Sequence, residues 1–169
     1  MELDFHILQM ADNAKRIRAL AEGVTNEQAR WKPDPESWSI LEVVNHMIDV
    51  EREDFRVLLD LALHRPNDSR PKISPKAWVT ERKYNERDLG QSLSNYMAAR
   101  AESLTWLRGL SSPDWEATYK APWGLIKAGD VFGAWIVHDI LHMRQITKLH
   151  YLYTLRRVEP YNTDYAGDW

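Results

Sequence analysis

Residues 130–156 read DVFGAWIVHDILHMRQITKLHYLYTLR, and their periodicity decides the fold. Asp130 stands where a helix N-cap is expected, and the apolar residues that follow recur at helical spacing. From Val131 to Met143 the segment is apolar around much of its circumference, so this helix belongs in the middle of a packed protein. His138 and His142 lie within it, four residues apart. That spacing leaves them about 40° apart around the axis and one turn up, so both imidazoles can reach one metal ion. They share a line with Trp135, Ile146, Leu149 and Tyr153, which points inward. A buried imidazole has polar nitrogens that need partners, and a metal ion supplies one to both rings. Two ordinary hydrogen-bonded histidines would satisfy the same spacing equally well.

Three more segments carry helical periodicity, and none shows sustained alternation. Over about residues 2–23, Leu3, Ile7, Met10, Ala14, Ile17, Ala21 and Val24 form a heptad-like stripe suited to bundle packing. Thr25 to Gln28 has the form of a capping box, and Pro33 and Pro35 then break the chain. A second helix opens at the capping box Ser39-Ile40-Leu41-Glu42, with Trp38 as its hydrophobic staple, and runs to about His64. A third covers about 88–110, with Leu89, Leu93, Met97, Ala101, Leu104 and Leu107 on its inward face. Ser112-Pro113 suits the start of a short helical turn, and residues 117–129 are read as irregular. The tail after Pro160 is polar and aromatic and is expected on the surface. Residues 64–87, opening with HRPNDSRPKISPK, are a long connection, either a plain crossover or a functional lid. A link of that length lets the second and third helices run parallel. The expectation is one all-α domain spanning 1–169, an up-down-down-up four-helix bundle.

Composition supports a packed globule. A chain of 169 residues is long enough to bury a core, 44% of it is apolar, and it holds eight tryptophans. The net charge is -3 with both signs interspersed, and no basic stripe appears, so no nucleic-acid partner is expected. Cysteine is absent, which excludes disulfides, iron–sulfur clusters, thiolate zinc sites and a catalytic cysteine. Any thiol chemistry must use a thiol from a cosubstrate. The N-terminus does not read as a signal peptide, and no apolar run approaches the roughly 20 residues that span a bilayer. The expected location is the cytoplasm, with no membrane partner.

His46, early in the second helix, is the best candidate for a third metal ligand, because ligands on facing helices meet in a bundle core. It falls at the margin of the apolar arc, so the triad rests on the combination and not on His46 alone. His138-Asp139-Ile140-Leu141-His142 resembles the zinc-protease motif His-Glu-x-x-His with a shorter acid. The helical wheel turns Asp139 away from the histidine line, so it is read either as an acid standing behind the metal ligands or as a surface acid. Glu51 lies mid-arc among Val44, Met47, Phe55 and Leu58. Burial would require a cation, with Arg16, Arg18 or Arg144 as candidates, or a place beside the metal; partial exposure is the alternative. Asp49, Glu51 and Asp139 are the candidate catalytic carboxylates. Gln145 is placed to hydrogen-bond a ligand. Trp38, Trp123 and Trp135 are read as core, with an apolar pocket near the metal as the other possibility. His6, His64 and His150 have no partner at ligand spacing.

Taken in order, these motifs resemble the DinB-like (damage-inducible) superfamily, which includes YfiT-type proteins. The resemblance is carried by Trp38-Ser39 leading through Ile40-Leu41-Glu42 to His46, by His46 with Glu51 five residues on, and by Glu81-Arg82-Lys83-Tyr84-Asn85-Glu86-Arg87 before the third helix. Trp115, Gly129 and His138-Asp139-x-x-His142-x-x-Gln145-Ile146 complete it. It covers nearly the whole chain. It implies an up-down-down-up bundle, a metal held by the three matched histidines (nickel, zinc, manganese or iron, with nickel or zinc first), and a homodimer. It also implies an activity like that of relatives that are thiol-dependent S-transferases or isomerases using bacillithiol, mycothiol or glutathione. The segment from Tyr119 to Gly124 lacks a histidine that some members carry there.

Three readings of function follow. The first is a metal-dependent transferase that activates a low-molecular-weight thiol. The second is a metal-dependent hydrolase, with Asp49, Glu51 or Asp139 as base. The third is a non-enzymatic metal-binding module for stress response or interaction.

Overall fold

The computed structural model describes residues 1–167 and residue 169. Helix α1 spans Leu3–Ala21 and buries Ile7, Met10, Ala14, Ile17 and Ala21, the stripe expected of it. A short α2, Asn26–Arg30, is capped by Thr25, whose hydroxyl accepts the Gln28 N–H. Helix α3, Ile40–Val50, opens on the full capping box: Ser39 Oγ accepts the Glu42 N–H, and Glu42 accepts the Ser39 N–H. The rod continues without a break through a π-helical turn, Glu51–Phe55, into α4, Arg56–His64. Together these form the second bundle helix. The third is α6, Leu89–Arg108, capped by Asp88, and the fourth is α7, Ala128–Val158.

Pairings along the rods give the topology. His6 meets Phe132 and Asn13 meets Asp139, so α1 and α7 run parallel. Asn45 meets Ser92 and Glu51 meets Arg100, so the second and third helices also run parallel. The bundle is therefore up-down-down-up, as expected.

The connection after His64 is more than a crossover. It carries α5, Pro75–Glu81, and a 3-10 turn, Tyr84–Glu86. Trp78, Val79 and Tyr84 are buried and pack with Trp38 and Ile73. Arg82 and Tyr84 both donate to Asp49. This layer covers the outer side of α3, so every residue of that helix is buried. His46, expected at the margin of a half-exposed helix, is for that reason only 6% exposed.

Two more segments differ from expectation. Residues 117–129 are not irregular: β1, Thr118–Ala121, pairs antiparallel with β2, Gly124–Lys127, across the Pro122-Trp123 turn. Gly124 has φ +139°, a conformation that suits glycine at this tight turn. Four residues are too short a run for alternation to show in the sequence. The hairpin also moves the start of α7 back to Ala128, so Asp130 is not the N-cap. It lies inside the first turn and accepts the Lys127 N–H. Among the described residues no helix is long and apolar enough to cross a membrane.

The interior has two apolar halves. One gathers Ile17, Val44, Met47, Leu93, Tyr96 and Ile146; the other gathers Met10, Leu59, Leu107, Phe132 and Trp135. Between them every bundle helix contributes a buried polar residue: Asn13, Glu51, Arg100 and Asp139. The bundle therefore has a polar waist.

Candidate metal centre

At the level of the waist, α3 and α7 bring His46, His138 and His142 together, and one nitrogen from each lies within 4.8 Å of the others. The Nε2 atoms of His46 and His138 are 3.4 Å apart, and those of His142 and His138 are 3.0 Å apart. Imidazole nitrogens about 2.1 Å from one divalent ion lie about 3.4 Å apart in a tetrahedron and about 3.0 Å apart at adjacent octahedral corners. The observed spacings fit a shared ion.

The surroundings set the protonation state of the donors. Gln145 Oε1, which can only accept, lies 2.8 Å from His142 Nδ1. The proton of His142 is therefore on Nδ1, and its Nε2 lone pair points to the cluster. Burial lowers the His46 pKa from 6.5 to about 3, with His142 adding to the effect. Burial, then His142, His46 and Arg100, lowers His138 to about 2. Burial also lowers His142, against the opposing pull of Gln145 and Asp139. All three rings are neutral near pH 7, the state in which they can ligate a metal. His46 Nδ1 is buried without a hydrogen-bond partner.

Aromatic rings fix the cluster. Trp38 lies 4.8 Å from His46, and Phe55 lies 4.9 Å from His138 while stacking on Trp135 at 5.9 Å. The π-helical turn places one extra residue in the second rod just ahead of Phe55. Of the three tryptophans considered from sequence, two are at the site. Trp123 is not: it is 62% exposed at the hairpin turn, against the Arg70 guanidinium.

Below the cluster lies the ion-pair network of the waist. Arg100, 1% exposed, donates twice to Asp139 and once to Glu51, at 2.6 to 2.8 Å, and once to the Met10 carbonyl. Trp135 Nε1 donates to the same Glu51 oxygen. Glu51 is thus fully buried, and its cation is Arg100, not Arg16, Arg18 or Arg144. Of the two readings of Asp139, the surface one does not hold. The residue is completely buried in the seam formed by Trp135, Asp139, His142, Ile146 and Leu149. His138, half-buried, sits on the seam's edge. Arg100 was missed because the inward face of the third helix was drawn through Ala101, which is exposed. The signal was present: Leu93, Tyr96, Arg100, Leu104 and Leu107 are spaced as a seam. Asp49 is tied to Arg82 and Tyr84, so none of the three candidate carboxylates is unpaired.

The fold, the triad and the order of motifs together point to one family. The sequence profile of the DinB superfamily matches residues 9–146. The chain belongs to the DinB superfamily. Among solved structures, this DinB protein resembles YfiT from Bacillus subtilis, described as a probable metal-dependent hydrolase with an unusual four-helix bundle topology. The TM-score is 0.79 at 19% identity, over 90% of this chain and 88% of that one. That likeness confirms the bundle topology. No curated protein matches the chain closely enough to count as a relative.

Proposed function

We propose that this DinB protein is a metal-dependent enzyme in which His46, His138 and His142 hold one divalent ion, and a low-molecular-weight thiol brought to that ion is transferred to an electrophilic carbon. The observation that carries the reading is the convergence of three neutral imidazoles at ligand spacing beside a cavity that His138 and His142 line. Such an ion supplies Lewis acidity that lowers the pKa of a thiol or water placed beside it. All-imidazole ligation suits nickel or zinc, with manganese and iron as further choices.

The chain's own contribution is to hold the rings neutral, to aim His142 through Gln145, and to wall the cluster with Trp38 and Phe55. Asp49, Glu51 and Asp139 are each engaged by an arginine, and only the second oxygen of Glu51 is left without a partner. A nucleophile that needs only its own proton made more acidic suits such a site. A thiol, with an ordinary pKa of about 8.5, meets that requirement more easily than water. In transfer, the sulfur's proton leaves to solvent, the new sulfur–carbon bond forms, and the leaving group departs with its electron pair.

Hydrolysis of an ester or amide is the second reading, supported by the description of YfiT. Metal analysis of protein purified without a histidine tag, followed by turnover assays, tests both. Wild type is expected to carry about one ion per chain and His142→Ala little. Loaded wild type should consume a model electrophile such as monobromobimane in the presence of a small thiol faster than the metal-free protein or His142→Ala does, and should not consume it without thiol. Turnover of esters without thiol would replace the first reading with the second, and equal metal in wild type and variant would remove both.

A further inference from the structure

We propose that Arg144 and Lys148 form an oxyanion-binding subsite beside the triad, so that the small molecule handled there carries a carboxylate or phosphate group. The proposal rests on the reading of the histidines as a metal-dependent thiol site, and it names the substrate class that site takes. Both cations line the same cavity as His138 and His142, a space of about 560 Å³. Along α7, Arg144 is about 3 Å and Lys148 about 9 Å beyond His142, at 1.5 Å per residue. Round the axis they lie about 160° and 120° from His142, so the cavity spans the face between them and the histidines, and the N-terminal lean of helical side chains brings both heads back along the axis.

Leu141, Gln145 and Trp169 complete the lining; among the described residues no aspartate or glutamate side chain is part of it, and neither Arg144 nor Lys148 is in an ion pair. Two like charges on one concave wall repel until an anion is placed between them. Gln145 adds hydrogen-bond donors. Its carbonyl oxygen faces His142, which leaves its amide N–H groups for a ligand. Lys148 and Gln145 also line a neighbouring cavity of about 370 Å³ whose far wall carries Asp34 and Glu36. Asp34 there accepts the Ser37 hydroxyl and the N–H groups of Glu36 and Ser37, so it closes a turn, and it feels the charge of Lys148 across that cavity without pairing with it. An anionic group is therefore attracted to the histidine end and repelled from the far end.

The test uses cobalt-loaded protein, in which a bound thiolate changes the visible spectrum. Mercaptosuccinate and 2-mercaptoethanol are titrated against wild type and the double variant Arg144→Gln/Lys148→Gln. Both side chains are exposed, and the cobalt spectrum before titration checks that the variant's site is intact. The expected result is about tenfold tighter binding of mercaptosuccinate in wild type, with that preference largely lost in the variant. No preference in wild type, or a preference that persists in the variant, overturns the subsite. If neither thiol alters the spectrum, the thiol reading fails and calorimetry with succinate and with inorganic phosphate decides the subsite alone. Binding of either anion to wild type and not to the variant upholds it and shows which oxyanion it prefers; binding of neither overturns it.

Discussion

His142 shows how one neighbour decides what a histidine can do. Without Gln145 its proton could sit on either nitrogen; with the amide oxygen 2.8 Å from Nδ1, the Nε2 lone pair is committed to the cluster. Its partners are committed by burial, which holds His46 and His138 neutral down to about 3 and 2, against 6.5 for an ordinary histidine. Between these limits the unfolded chain binds protons that the metal-free folded chain does not. Their contribution to stability is therefore complete above pH 6.5 and is lost as the pH falls toward the folded values. The loss is expected to be about 1.4 kcal/mol per pH unit for each of the two rings. Urea unfolding of metal-free protein over that range measures the slope, and His138→Gln should lower it by about 1.4 kcal/mol per pH unit, the share of one ring. A slope unchanged in the variant would mean that other groups carry the acid sensitivity.

At the scale of elements, the bundle is held at its waist by one arginine. Arg100 on α6 reaches α1 through the Met10 carbonyl, the second rod through Glu51 and α7 through Asp139, so all four helices meet on one side chain. Two carboxylates to one guanidinium leave a net negative charge buried beneath the histidines, which complements a cation placed there. Arg100→Met strands both carboxylates and is expected to cost about 3–5 kcal/mol in denaturant unfolding. Adding Glu51→Gln and Asp139→Asn to that variant should recover much of the loss, because no unpaired charge then remains. If the triple variant stayed as unstable as the single one, shape and not charge would be the function of the network. The same helices show what was legible in the sequence. Ile7, Met10, Ala14 and Ile17 announced α1, and Ser39 with Glu42 announced α3, because periodicity and capping are local. Arg100 and the burial of Asp139 were not legible, because a charged residue in a seam reads as surface until its partner on another helix is known. The hairpin and α5 were hidden in short segments punctuated by proline and glycine, where tertiary packing decides the structure.

For the whole molecule, the waist divides two apolar halves, and the histidines lie at its level on the second and fourth rods. The three rings bring lone pairs into the buried waist, and His46 Nδ1 there lacks a partner altogether. An ion bound by all three would join α3 to α7 at the waist, and the unfolded chain would not hold the rings together. Binding must then stabilise the fold by mass action: at a free concentration about a hundredfold above Kd the gain is about 2.7 kcal/mol. For a chain of this size that corresponds to a rise of roughly 5–10 °C in Tm. Calorimetric scans of metal-free protein with and without zinc or nickel should show this rise in wild type and lose it in His142→Ala. Because Arg100 and the two apolar halves remain in that variant, it should still unfold cooperatively. An equal shift in both proteins would place the ion away from the triad, and no shift in wild type would show that the three rings are satisfied without one.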